Sequence, residues 1–222
     1  MTIFGGTLRQ GRPVVTLSII AACVVMYVLQ LTIPGWTGRW NFSALRDQGD
    51  YVRMLTSAFL HLSIPHIALN MITLWFVGPM LEQALGRVRY LVLYLVCAFG
   101  GSVGVVVLAG PTHTWLVQVA GASGAIFGLF GAVFVVMRRI GNQVRSIVTL
   151  IVLNLVFGFV FSGIAWQAHL GGLVTGVALA AAYAYVPRAW QRVAAWAAPV
   201  VVVAFLVVAM QLAYQTAPTL VG

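Results

Sequence analysis

GASGAIFGLFGAVFVVMRR, residues 121–139, decides the architecture. From Ser123 to Met137 the run carries no charge, and it closes on the pair Arg138-Arg139. Gly124, Gly128 and Gly131 recur at helical spacing and make one flat face, against which another helix backbone can lie closely. An uncharged helix with a flat glycine face and a cationic end reads as a membrane span packed inside a bundle.

Outward from this run, other apolar stretches bounded by charge, Gly or Pro place spans at 14–31, 62–82, 90–109, 146–163, 167–186 and 194–214, which with 123–137 make seven. A helix of ~20 residues crosses the ~30 Å hydrocarbon core. Composition agrees: 62% of the 222 residues are hydrophobic and 7% charged, where a soluble domain carries roughly 25% charged residues. The expected fold is all-α, a polytopic membrane helical bundle of seven transmembrane helices. The first run is followed by Thr32-Ile33-Pro34 with no small-residue cleavage site, so it reads as a retained span. Cys23 and Cys97 lie inside apolar runs and read as buried thiols.

The net charge of +9 comes from twelve arginines and three acids, with no lysine. In a soluble chain that balance would suggest nucleic acid. Here the arginines stand singly or in pairs between apolar runs, as interfacial anchors do, and no nucleic-acid partner is expected. Seven spans sort the connections into two alternating sets. One holds Arg9, Arg12, Arg87, Arg89, Arg138, Arg139, Arg145, Arg188 and Arg192; the other holds Arg39, Arg46 and Arg53. By the positive-inside rule the N-terminus is cytoplasmic and the C-terminus outside. The longest connection, 32–61, carries Trp36, Trp40, Asp47 and Asp50 and is long enough for structure of its own.

This orientation gathers the N-terminal ends of the second, fourth and sixth spans near the outer face. Those ends carry His66, Asn70, Ser123 and His169. Small neighbours leave the Ser123 hydroxyl approachable, and the following helix points its positive end and free N–H groups at it. Gly172 and Gly176 share a face with His169, so docking that face on the glycines of the fourth span would bring His169 to Ser123. A neutral imidazole there takes the serine proton and returns it to a leaving amine. His66 and Asn70, four residues apart, both donate hydrogen bonds as an oxyanion hole requires. Each has a plainer reading alone: small residues for packing, an interfacial histidine, polar glue between helices. Their meeting at one depth from three spans is what carries the chemistry.

The acids point to a Ser–His dyad rather than a triad. Glu82 lies at the cytoplasmic end of its span, and Asp47 and Asp50 sit in the outer loop. Fifteen residues separate Ser123 from Arg138, ~22 Å of helix, which puts Ser123 ~8 Å below the outer edge of a ~30 Å core. His169 comes out closer to the surface, so its helix must tilt or start lower.

These strings together resemble the rhomboid intramembrane proteases, over about Leu55 to Ala182. They are Phe59-Leu60-His61, His66-Ile67-Ala68-Leu69-Asn70, Leu81-Glu82 before Leu85-Gly86, Gly121-Ala122-Ser123-Gly124 and Ala168-His169-Leu170-Gly171-Gly172. The resemblance implies Ser123 as nucleophile and His169 as general base. It implies an oxyanion hole of His66, Asn70 and the Ser123 N–H. It further implies an endopeptidase of the plasma (cell inner) membrane that cuts single-pass or multi-pass membrane proteins near the outer ends of their spans, within the lipid bilayer. No metal and no cofactor are expected. The division it implies is a cytoplasmic tail (1–13), a six-helix core (14–186) and an additional C-terminal helix (187–222). Phe127 stands where some members have Tyr, and Arg39-Trp40 reverses a Trp-Arg pair of some relatives. The rivals are a transporter or channel, which would spread polar residues across the membrane, and a non-catalytic chaperone on the same fold. No His-Glu-x-x-His is present and no Asp lies in a span, which disfavours metallo- and aspartyl proteases.

Overall fold

The computed structural model describes residues 11–160 and 163–218. In chain order the elements are α1 (Val14–Thr32), α2 (Trp36–Trp40), β1 (Phe42–Ser43), α3 (Tyr51–Thr56), a 3-10 turn at Ser57–Phe59, α4 (Ile64–Leu85) and α5 (Arg87–Thr112). β2 (Gln118–Val119), α6 (Ser123–Arg139), α7 (Arg145–Val160), α8 (Trp166–Tyr185), a 3-10 turn at Arg188–Trp190 and α9 (Gln191–Tyr214) follow. The seven long helices fall on the seven expected runs to within a few residues. Residues 1–10 of the expected tail, 161–162 of the expected fifth span and 219–222 of the C-terminal segment lie outside the described residues.

Among the described residues, α1, α4, α5, α8 and α9 are long and apolar enough to cross a membrane, judged by length and composition; α7 is a shorter apolar helix. α6, of 17 residues, is buried at almost every position from Gly124 to Val136. A helix enclosed by protein need not match the hydrocarbon thickness itself. Large apolar side chains instead face outward, among them Val25 on α1, Trp75 and Phe76 on α4 and Phe205 on α9. Such a surface suits lipid and not water.

Glycine sets the packing of α5, α6 and α8. A Cβ on Gly172 would overlap the Gly124 carbonyl, and one on Gly176 the Gly128 carbonyl. The pairs 124/172 and 128/176 advance together, so α6 and α8 run parallel, as expected of the fourth and sixth spans. α5 joins from the other side, where a Cβ on Gly104 would stand 2.7 Å from the Gly171 Cα. No side chain separates these backbones, and close approach brings dispersion contact in a solvent that offers helices no hydrophobic drive to associate.

Glu82 joins α4 to the start of α1. Its carboxylate, 5% exposed, accepts from the Val15 N–H (3.1 Å), the Thr16 N–H (2.9 Å) and the Thr16 hydroxyl (2.9 Å). Arg87 Nε lies 3.7 Å away. α1 has no capping side chain at Pro13, so an acid from another helix satisfies its orphan donors and complements its dipole.

The segment 32–61 does have structure of its own. Phe42, Ala44, Leu45 and Met54 are buried with Val103, Val106 and Ala109 of α5, with Met210 of α9 and with Trp115 in the connection after α5. Asp47 accepts from the Ser43 N–H (2.8 Å) and from both Arg46 and Arg53. Burial pushes its carboxyl up, but the Arg46 and Ser43 hydrogen bonds and the two cations outweigh that and hold it below the usual carboxylate range. Asp50 caps α3 through the Arg53 N–H. Both loop acids are thus committed to the loop.

Candidate active site

Ser63 caps α4 by accepting from the His66 N–H (3.3 Å), and Pro65 in the first turn presets the helical φ. This fixes His66 in the first turn of α4 and Asn70 one turn further in. Ser123 is the first residue of α6, where helical N–H groups have no intrahelical partner, and His169 is the fourth of α8.

The serine approach is held at two points. Phe42 and Ser43 pair antiparallel with Val119 and Gln118, and the Gly121 N–H donates to the Ser57 carbonyl at 2.9 Å. Gly121 has φ +148°, and a Cβ on it would come within 2.8 Å of the His66 Cε1 and Nε2. Only glycine both adopts that backbone and leaves room for the imidazole.

Ser123 Oγ and His169 Nε2 are 2.8 Å apart, a full hydrogen bond. The Phe127 ring lies parallel to the imidazole, with centroids 4.2 Å apart and 7° between planes. Gly158 of α7 faces Nδ1, which has no protein partner among the described residues. Packing, rather than a carboxylate, therefore orients this imidazole. The stacked phenyl was not legible as a partner in the sequence, where position 127 read only as the absence of a hydroxyl.

His66 Nδ1 accepts from the Leu62 N–H at 3.4 Å. That contact leaves the ring proton on Nε2, the atom beside Gly121. Asn70, 7% exposed, donates one amide hydrogen to the His66 carbonyl at 2.8 Å, and the other is uncommitted by that bond. His61 has its main chain clamped by Gln30 (2.9 and 3.0 Å) and its ring 5.1 Å from His66, edge-on. Burial first, then the neighbouring His66, lowers its pKa to about 4. His113, at the C-terminal end of α5, is exposed and away from these groups.

His66, Asn70, Ser123 and His169 all line one cavity of about 420 Å³. Its walls include Leu69 and Thr73 of α4 and Asn154 and Phe157 of α7. A hydroxyl, an imidazole and further hydrogen-bond donors from α4, α6 and α8 thus converge on one space whose apolar wall comes from α4 and α7.

The rhomboid domain model matches residues 48–186, more than half of the chain. Over 189 residues the chain is 36% identical to the rhomboid protease GluP of Bacillus subtilis (strain 168), covering 78% of this chain and 36% of that protein. It is 30% identical over 184 residues to the rhomboid protease GlpG of Serratia proteamaculans (strain 568), covering 78% and 64%. It is also 37% identical over 134 residues to RHOMBOID-like protein 4 of Arabidopsis thaliana, covering 57% and 32%. The chain therefore spans about a third of the length of the first and third of these relatives, and somewhat under two thirds of the second.

Proposed function

The chain belongs to the rhomboid family, and from that premise we propose that it is an intramembrane serine endopeptidase working through Ser123 and His169. The observation that carries this is the 2.8 Å contact between Ser123 Oγ and His169 Nε2 in the lining of the cavity. Ser123 attacks a peptide carbonyl while His169 Nε2 takes its proton. The oxyanion is held by the Ser123 N–H, by His66 Nε2–H and by Asn70 Nδ2–H. Collapse expels the amine, which receives the proton from His169, and water admitted by the cavity hydrolyses the acyl-enzyme. The imidazolium that forms in between lies against the Phe127 ring face, which attracts a cation.

The substrates are membrane proteins, entering as extended segments along the wall formed by α4 and α7. The catalytic unit is the six-helix core 14–186, and α9 is an addition to it. The protein sits in the plasma membrane with its N-terminus cytoplasmic and the cavity towards the outside, as the arginine distribution supports. A non-catalytic chaperone on this fold would have no use for a serine bonded to a histidine at a glycine-cleared approach.

The test is labelling with a fluorophosphonate, which reacts with an activated serine. The natural protein should label and Ser123→Ala should not. Equal labelling of the two, or none of either in folded protein, would overturn the assignment.

A further inference from the structure

At the far end of the bundle α5 and α9 part, leaving a cleft of about 280 Å³ lined by Val88, Arg89, Val92, Arg192, Ala195 and Trp196. Its place follows from α8: the Arg89 guanidinium lies 5.9 Å from the Tyr183 ring, fourteen residues along that helix from His169, or ~21 Å. The cleft is therefore a separate space at the arginine-rich end, with no carboxylate in its lining. α5 and α9 both begin here, so two helix dipoles add their positive ends to two guanidinium groups.

The lining has two characters. Arg89 and Arg192 present planar forks that match phosphate oxygens. Val88, Val92 and Ala195 form an aliphatic wall, and Trp196, 66% exposed, stands beside it as an indole does at the headgroup level. A free anion would use the guanidinium groups and leave the aliphatic wall unused. An amphiphile carrying a phosphate above an acyl chain uses both. We propose that the cleft between the starts of α5 and α9 binds the headgroup of an anionic phospholipid, which bridges the seventh helix to the core. The site rests on the membrane-spanning character of the bundle and on nothing at Ser123.

Native mass spectrometry of the purified protein tests this, using phosphatidylglycerol, phosphatidylcholine and inorganic phosphate as separate probes. Phosphatidylglycerol should be retained in preference to phosphatidylcholine. Arg192→Gln should weaken retention by about fivefold, and Arg89→Gln with Arg192→Gln by roughly the square of that, as expected for one interfacial cation each. Ala195→Trp, which fills the cleft without changing charge, should also release the lipid, while Arg138→Gln, outside the cleft, should leave it bound. Equal retention of the two lipids, indifference to the arginine pair, or full displacement by inorganic phosphate would overturn the proposal. Fluorophosphonate labelling of Ser123 on the same samples reports the protease reading separately.

Discussion

Ser123 Oγ and His169 Nε2 stand 2.8 Å apart although 46 residues separate them in the chain. The contact depends on backbones meeting one step deeper, where Gly172 of α8 lies on the Gly124 carbonyl. If the two side chains act as a unit, Ser123→Ala and His169→Ala should each lower proteolysis by several orders of magnitude, and the double variant little further. Turnover of a transmembrane reporter in proteoliposomes is the measurement. Multiplicative losses in the double variant would mean that the two residues act separately.

The glycine seam makes a prediction about stability. Gly172→Ala and Gly176→Ala must push α8 off α6, since the added methyl would meet backbone and not a mobile side chain. Overpacking of this kind costs ~1–3 kcal/mol or more. Both variants should melt earlier in detergent, and Gly172→Ala should also lose activity because His169 lies one turn away. Gly38→Ala, with open space around the added carbon, should melt with the natural protein. A Gly172→Ala protein of unchanged stability and activity would refute the seam as the device that sets the dyad.

Much of this architecture was legible in the sequence, for physical reasons. Apolar runs and the arginines between them register directly as spans, and glycines at helical spacing register as flat faces that must find each other. What escaped were contacts made by backbone and by shape. The two-residue strands at Phe42–Ser43 and Gln118–Val119 are too short to carry a period. The φ of Gly121 and the Ser57 carbonyl that holds its N–H have no side-chain signature. Phe127 stacks on His169 through a ring face that a hydroxyl-centred comparison overlooks. The partners of Asp47, Arg46 and Arg53, are likewise set by the fold of the loop.

His66 and Asn70 are distinguished by their donors. His66 Nε2–H faces Gly121, while Asn70 already gives one amide hydrogen to the His66 carbonyl. Asn70→Ala should lower turnover at saturating substrate by roughly 10- to 1,000-fold, the range for one oxyanion donor with others in place. Unchanged turnover would leave Asn70 as a residue that steadies the first turns of α4.

His61 gives the fold an acid sensitivity. Its pKa falls from 6.5 to about 4 in the folded chain, so between those values the unfolded chain binds more protons and stability rises with pH. The contribution is complete above pH 6.5 and is lost on acidification through the folded value near 4. His61→Phe keeps a buried ring without the proton site. Its melting temperature should therefore fall less than that of the natural protein over this window, and in parallel with it below. Identical pH profiles would show that His61 is not neutral by virtue of burial.

On the proposed reading, a substrate must arrive unwound. A stable helix holds its carbonyls in i to i−4 hydrogen bonds, and the Ser123 hydroxyl cannot reach one until that ladder opens. The cavity offers an apolar wall of Leu69 and Phe157 with Thr73 and Asn154 among it, so a segment can leave its own helix beside α4 and α7 without meeting lipid at every bond. Residues that weaken helix lower the cost of opening, by ~1 kcal/mol for Gly and ~3 kcal/mol for Pro relative to Ala. At a common transition state, ~1 kcal/mol is about fivefold in rate. A reporter series on one transmembrane segment should therefore be cut at least fivefold faster with a Gly or Pro inside the span than with Leu in its place. The cut, mapped by mass spectrometry, should lie near the outer end and after a small side chain, as the family resemblance and the small residues Gly121 and Ala122 beside the serine suggest. Equal rates across the series would show that helix opening does not limit the reaction, and a cut near the cytoplasmic end would reverse the orientation read from the arginines.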